Sequence, residues 1–135
     1  MIVVDASVLV TALVDDGPDG RGVRDRLHSA DLAAPAHLDV EFLPALRGLV
    51  RSTQTSPQRA DRAIAHLVRM PQQRFELPAV ASRTWQLRDN LTPYDAAYVA
   101  LAELLSASLV TSDAHPARAT GPRCIIELTR AARVD

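Results

Sequence analysis

Short apolar runs alternate with longer amphipathic ones along the chain. Ile2-Val3-Val4 is uniformly apolar and stops at Asp5, which predicts a buried strand. Residues 7–14 predict a helix packed behind it, with the Ser7 hydroxyl as its cap. Turn chemistry over residues 15–20 ends that helix. An amphipathic helix follows over 21–29, then a short strand Leu32-Ala33-Ala34 stopped by Pro35. Over 37–52, projection at about 100° per residue places Leu38, Phe42, Ala45, Leu46 and Leu49 on one face. Glu41 lies at the border of that face, beside Ala45 and Gly48, whose small size leaves room for an ion. Pro44 removes an N–H and crowds the preceding turn, so a kink or a late helix start is expected.

The second half repeats the pattern. Ser56-Pro57 starts a helix that runs to about Arg69, where Pro71 stops it. Arg74-Phe75-Glu76-Leu77 predicts a short strand and residues 79–89 a helix. Thr92-Pro93-Tyr94-Asp95 has a capping hydroxyl, Pro in the first helical position and an acid third, so a helix begins there and reaches about Ser106. Ser108 to Thr111 and Arg123 to Glu127 are the last strands. Strands alternating with helices predict an α/β fold with a mostly parallel sheet, as a single domain over 1–135. In such sheets sites form beyond the carboxyl ends of the strands.

Composition narrows the class. With 135 residues, 47% hydrophobic and 23% charged, the chain has the makeup of a soluble globular domain. Its apolar runs are too short to span a bilayer, and Met1-Ile2-Val3-Val4 reads as a strand instead of a leader, so a cytoplasmic protein without membrane contact is expected. One cysteine excludes an internal disulfide and a cysteine zinc site; Cys124, before Ile125-Ile126, reads as a buried strand thiol. A net charge of −1 gives no overall field to draw in a polyanion. Every cationic side chain is Arg, suited to bidentate phosphate contact.

Four acids change the picture. Asp5 ends the first strand, Glu41 interrupts an apolar helix face, Asp95 opens an apolar helix and Asp113 follows the strand ending at Thr111. Each alone has an ordinary explanation as a cap, a turn residue or a solvated edge. Together they place carboxylates at the ends of the two most apolar strands, where an unpaired charge is costly and no Lys exists to offset it. A divalent cation is the cheapest relief. Oxygen ligands without Cys or His select Mg²⁺ or Mn²⁺ over zinc. One or two such ions suit phosphoryl transfer by an activated water. Ser7 and Thr111 bring short hydroxyls to the same edge.

Val3-Val4-Asp5-Ala6-Ser7-Val8-Leu9-Val10, Glu41 followed by Leu46 and Leu49, Thr92-Pro93-Tyr94-Asp95-Ala96-Ala97-Tyr98-Val99-Ala100-Leu101-Ala102, and Leu109-Val110-Thr111-Ser112-Asp113 together resemble PIN domains. The similarity is greatest to VapC-type toxins of bacterial toxin–antitoxin pairs, and it covers the chain in order. The resemblance implies a three-layer α/β/α fold and an endoribonuclease dependent on Mg²⁺ or Mn²⁺. It implies a homodimer held in check by a cognate antitoxin, with operator DNA reached only through that antitoxin. Carried over, Asp5, Glu41, Asp95 and Asp113 are the catalytic and metal-binding quartet, and Thr111 supports them. Pro116 departs from the pattern, as does Pro44.

RNA contacts are less legible. Arg21, Arg24 and Arg26 cluster early, Arg47 and Arg51 lie away from Glu41, and Arg118, near the site edge, is the residue expected to contact RNA. Tyr94 and Tyr98, one helical turn apart, suit base stacking, core packing or a dimer contact. Trp85 reads as core or interface, and His115 as a neighbour of the site suited to proton transfer. Three rival functions remain. A phosphoacceptor domain needs a Lys, which is lacking. A haloacid-dehalogenase-like phosphatase needs an acid at position 7, occupied by Ser7. A non-catalytic PIN-fold module holding an antitoxin and its operator shares the fold, and the intact quartet argues against it.

Overall fold

The computed structural model describes residues 1–130; residues 131–135, the end of the span read as one domain, lie outside the described part. The order is β1 (Ile2–Val4), α1 (Ala6–Val14), α2 (Pro18–His28), β2 (Leu32–Pro35), α3 (Leu38–Arg51), α4 (Pro57–Arg69), β3 (Gln73–Phe75), α5 (Ala81–Gln86), α6 (Pro93–Leu104), β4 (Ser108–Thr111), α7 (His115–Arg118) and β5 (Ile126–Leu128). A single 3₁₀ turn, Leu77–Ala79, precedes α5.

The five strands lie in the order β3-β2-β1-β4-β5, and every adjacent pair is parallel. The chain builds outward from β1 to β3, then returns to the other side of β1 for β4 and β5. The strand order therefore reverses between β1 and β4, where Val4 pairs with Val110. A crevice beyond the carboxyl ends opens at such a point. Flanking helices cover the sheet: α6 packs on β1, β2 and β4, while α1 packs against α2, α3 and α4.

Local chemistry explains most boundaries. Pro57 and Pro93 open their helices in the first turn, and the hydroxyls of Ser56 and Thr92 accept from the N–H of Arg59 and Asp95 at 3.1 and 3.2 Å. From Ala96 to Ala102 every residue of α6 is buried, and four of these seven are alanines. Small side chains let this helix approach the sheet closely while α5 covers its other side.

Several expectations are corrected. Asp5, not Ser7, caps α1: its carboxylate accepts from Val8 N–H, and Ser7 sits inside the first turn. The turn expected over 15–20 is shorter, because Pro18 begins α2. Gly20 then packs against the Asp15 carbonyl so closely that a Cβ would fall 2.0 Å from it. Ala45 is exposed, while Leu38, Phe42, Leu46 and Leu49 are buried as expected. The start of α3 is not delayed: it begins at Leu38 and continues through Pro44. The helix expected over 79–89 is divided between the 3₁₀ turn and α5, and β3 runs from Gln73 to Phe75. Cys124 precedes β5 and is half-buried, so it is not a strand thiol. Trp85 is 66% exposed, which excludes a place in the core; its ring stacks under the Arg88 guanidinium at 4.6 Å.

Candidate active site

Each of the four acids arrives on a different element, and all reach the edge where the strand order reverses. Asp5 follows β1 directly. Asp113 lies two residues past β4, the parallel neighbour of β1. Glu41 is in the first turn of α3, and Asp95 in the first turn of α6.

Asp5 is the most enclosed of them and the most tightly held. Oδ1 accepts from Ser7 Oγ at 2.6 Å and from Val8 N–H at 3.1 Å, and Oδ2 accepts from the Thr111 hydroxyl. Burial pushes its carboxyl above the ordinary range; the hydrogen bonds from Ser7, Thr111 and Val8 oppose this, and the charge of Asp95 adds to it. The loop after β4 fixes where those hydroxyl protons point. Ser112 Oγ donates to Ser7 Oγ at 2.6 Å, and Asp113 N–H donates to Thr111 Oγ1 at 3.0 Å. Each hydroxyl accepts from the loop and so turns its own proton toward Asp5.

Glu41 receives two partners on the same oxygen. The Tyr98 phenol donates to Oε1 at 3.1 Å, and His37 Nε2 lies 2.8 Å from it. The His37 contact is close but not aligned as a hydrogen bond. Burial and the charges of Glu41 and Asp5 hold the Tyr98 phenol far above its usual range, so it stays a donor. Asp95 is half-buried, and its carboxyl is pushed up first by burial, then by the charges of Asp113 and Glu41, with His115 in partial opposition. Asp113 is exposed and accepts from His115 N–H at 2.9 Å.

The four acids thus share one field: Asp5 feels Asp95, and Asp95 feels Asp113 and Glu41. Among the described residues, no three Asp, Glu, His or Cys side chains gather closely enough to form a complete metal cage. The acids form an open set of oxygen donors and not a closed cage. It fits Mg²⁺ or Mn²⁺, because Mg²⁺ is bound through one or two carboxylates and keeps several waters. The chemistry of the set agrees: oxygen donors only, and uncompensated negative charge that a cation would relieve.

Both supporting hydroxyls, Ser7 and Thr111, are where the sequence reading placed them. Arg118 is exposed on α7, next to the edge. Arg24 is tied to the Ala12 and Asp15 carbonyls and Arg26 to Glu127, so both are engaged in the fold. Tyr98 is buried, which removes it as a stacking surface. Sequence reading missed the roles of three residues. Ser112 is a hydroxyl next to Thr111, Tyr98 lies three residues past Asp95 on the same helical face, and His37 lies one turn before Glu41. A concavity of about 770 Å³ opens at the opposite, amino-terminal edge, lined by Met1, Leu27, His28, Leu32, His66 and Met70. It is largely apolar and is lined by none of the four acids.

Comparison with known proteins identifies the family and the fold. A model of the PIN domain matches residues 2–122. Ribonuclease VapC1 of Mycobacterium tuberculosis is 40% identical over 129 residues, covering 95% of this chain and 97% of the relative. Among solved structures, FitAcB from Neisseria gonorrhoeae has 19% identity and a TM-score of 0.67, covering 94% of this chain and 96% of that one. A toxin-antitoxin complex from Klebsiella pneumoniae has 19% identity and a TM-score of 0.55, covering 84% and 88%.

Proposed function

Because the chain belongs to the PIN-domain family, and within it to the VapC ribonucleases, we propose that it is the toxin of a toxin–antitoxin pair, an endoribonuclease dependent on Mg²⁺ or Mn²⁺. The observation that supports this reading most is the shared field of Asp5, Glu41, Asp95 and Asp113 at the switch point. The partners are RNA as substrate, a cognate antitoxin that covers the acids, and a second copy of the chain. Operator DNA is reached through the antitoxin. The site of action is the cytoplasm.

Asp5, Asp95 and Asp113 would hold a divalent cation, with Glu41 at the border of the set. When bound, the divalent cation lowers the pKa of water and offsets charge developing on the phosphate. Ser7 and Thr111 hold the Asp5 carboxylate in one orientation. Tyr98, kept protonated, donates to Glu41 Oε1 and holds that carboxylate in place. Water attacks phosphorus, the bond to the 3′ oxygen breaks, and that oxygen takes a proton. The products carry a 5′-phosphate and a 3′-hydroxyl.

The test is RNA cleavage with Mg²⁺ or Mn²⁺ in the wild-type chain and in Asp5→Ala and Asp95→Ala. Removing a ligand of a catalytic cation is expected to cost at least ~100-fold in rate. Full activity in either variant, or in excess chelator, would overturn the reading. A binding module that only holds an antitoxin would show no cleavage and no Mn²⁺ uptake by calorimetry.

A further inference from the structure

Tyr94 occupies the first turn of α6, immediately before Asp95, and its side chain is 61% exposed. In a helix whose residues Ala96 to Ala102 are all buried, such a ring is not held by the core. It is nevertheless positioned. It makes a T-shaped contact with the His37 imidazole at a centroid distance of 5.8 Å and an interplanar angle of 67°. His37 in turn meets Tyr98 at 5.0 Å and touches Glu41 at 2.8 Å. Three rings from α6 and the start of α3 therefore form a wall along the Glu41 side of the acids, with Tyr98 buried behind it and Tyr94 in front.

We propose that Tyr94, braced by His37, is a nucleobase-binding ledge: the base beside the scissile phosphate stacks on the Tyr94 ring. This rests on the ribonuclease reading and deepens it by naming what holds the substrate. The occupant follows from the chemistry. Single-stranded RNA presents splayed bases that stack on aromatic rings, and every base has a π face, so one ring serves any sequence. Position adds the second argument. Tyr94 adjoins Asp95, and His37 contacts Glu41, so a strand that offers a phosphate to the acids carries its neighbouring base onto the ledge. The edge-to-face contact with His37 fixes the ring angle without covering its outer face.

The experiment uses a uridine RNA hexamer with one central 2-aminopurine, whose fluorescence falls on stacking. Wild type, Tyr94→Phe and Tyr94→Leu are titrated in Mn²⁺ with a phosphorothioate backbone that resists cleavage, so binding is read without turnover. Wild type and Tyr94→Phe should quench the probe. Tyr94→Leu should lose the quenching and bind roughly ten-fold more weakly, within the range for one base–aromatic stack. Circular dichroism confirms that the exposed substitution leaves the fold intact. Equal quenching and affinity in Tyr94→Leu overturns the ledge. So does unchanged RNA binding together with a loss of dimer mass in light scattering, which would assign the ring to a protein contact. Cleavage by the wild-type chain with Mn²⁺ is measured in parallel: its absence refutes the ribonuclease reading, while its presence with a silent Tyr94→Leu refutes only the ledge.

Discussion

Asp5 has three donors for two oxygens, and the loop after β4 decides where two of them aim. Ser112 gives Ser7 a proton, so Ser7 has only Asp5 left to give its own to. Without the Ser112 hydroxyl, Ser7 keeps only the longer bond from the residue-112 N–H at 3.4 Å, and its hold on Asp5 loosens. Ser112→Ala should therefore weaken Mn²⁺ binding by about three- to ten-fold in calorimetry, a change near one hydrogen bond in size. Ser112→Thr should restore it. Equal affinity in Ser112→Ala would show that the relay has no bearing on the cation. The acids themselves were legible from sequence, because each stands out against an apolar run. The relay was not: it joins residues 7 and 112, and a serine within Thr111-Ser112-Asp113 carries no periodicity of its own. His37 and Tyr98 were hidden for a similar reason, since their role depends on α3 and α6 lying side by side at Glu41.

Among the elements, α3 shows why Pro44 misleads a sequence reading. A proline in a helix interior removes one hydrogen bond and crowds the carbonyl four residues back. Here Pro44 is exposed and that carbonyl belongs to Val40, which is 69% exposed, so water can serve the orphaned oxygen. The buried face of Leu38, Phe42, Leu46 and Leu49 holds the helix together on its other side. Pro44→Ala is expected to stabilise the chain by about 1–3 kcal/mol, measured by denaturant unfolding. A destabilised variant would mean the ring makes packing contacts worth more than the missing bond. Capped helices were readable because Ser56-Pro57 and Thr92-Pro93 announce themselves locally. β5 was displaced from its expected position because its approach is set by distant partners. Glu103 binds Arg83 in a bidentate pair at 2.6 and 3.1 Å and accepts from Arg123 N–H at 2.7 Å, while Arg83 also reaches the Gly121 carbonyl.

For the molecule as a whole, the near-zero net charge conceals a division of labour. Acids crowd one edge, while Arg26, Arg74 and Arg83 pair with Glu127, Asp39 and Glu103 elsewhere. These two populations respond to pH in opposite senses. Asp5 and Asp95 are raised, so folding favours their protonated forms and stability falls as pH rises from about 4 through their raised values. Glu127 is lowered by its bond to Arg26. Burial would raise Glu103, but Arg83 and the Arg123 N–H outweigh it, so it too is lowered. Both stabilise above about 4.3, and that contribution is lost as pH falls through their lowered values. In chelator, the chain should melt higher near pH 5 than near pH 7. Asp95→Asn should narrow the gap by roughly 2 °C, a modest figure because half-exposed acids are screened. An unchanged gap would mean that Asp95 does not set it. Fold class was legible from the alternation of strands and helices; the location of the switch point was not, because strand order depends on pairings between distant segments.

The acids stand on an open edge. Asp113 is exposed, the other three are only partly covered, and the large apolar hollow lies across the sheet. A small inhibitor finds little enclosure there, since tight ligands are gripped by pockets that bury most of their surface. Restraint of this enzyme therefore falls to something broad enough to lie over the whole edge. Potency in a blocking agent should grow with the surface it covers more than with its fit to any one carboxylate.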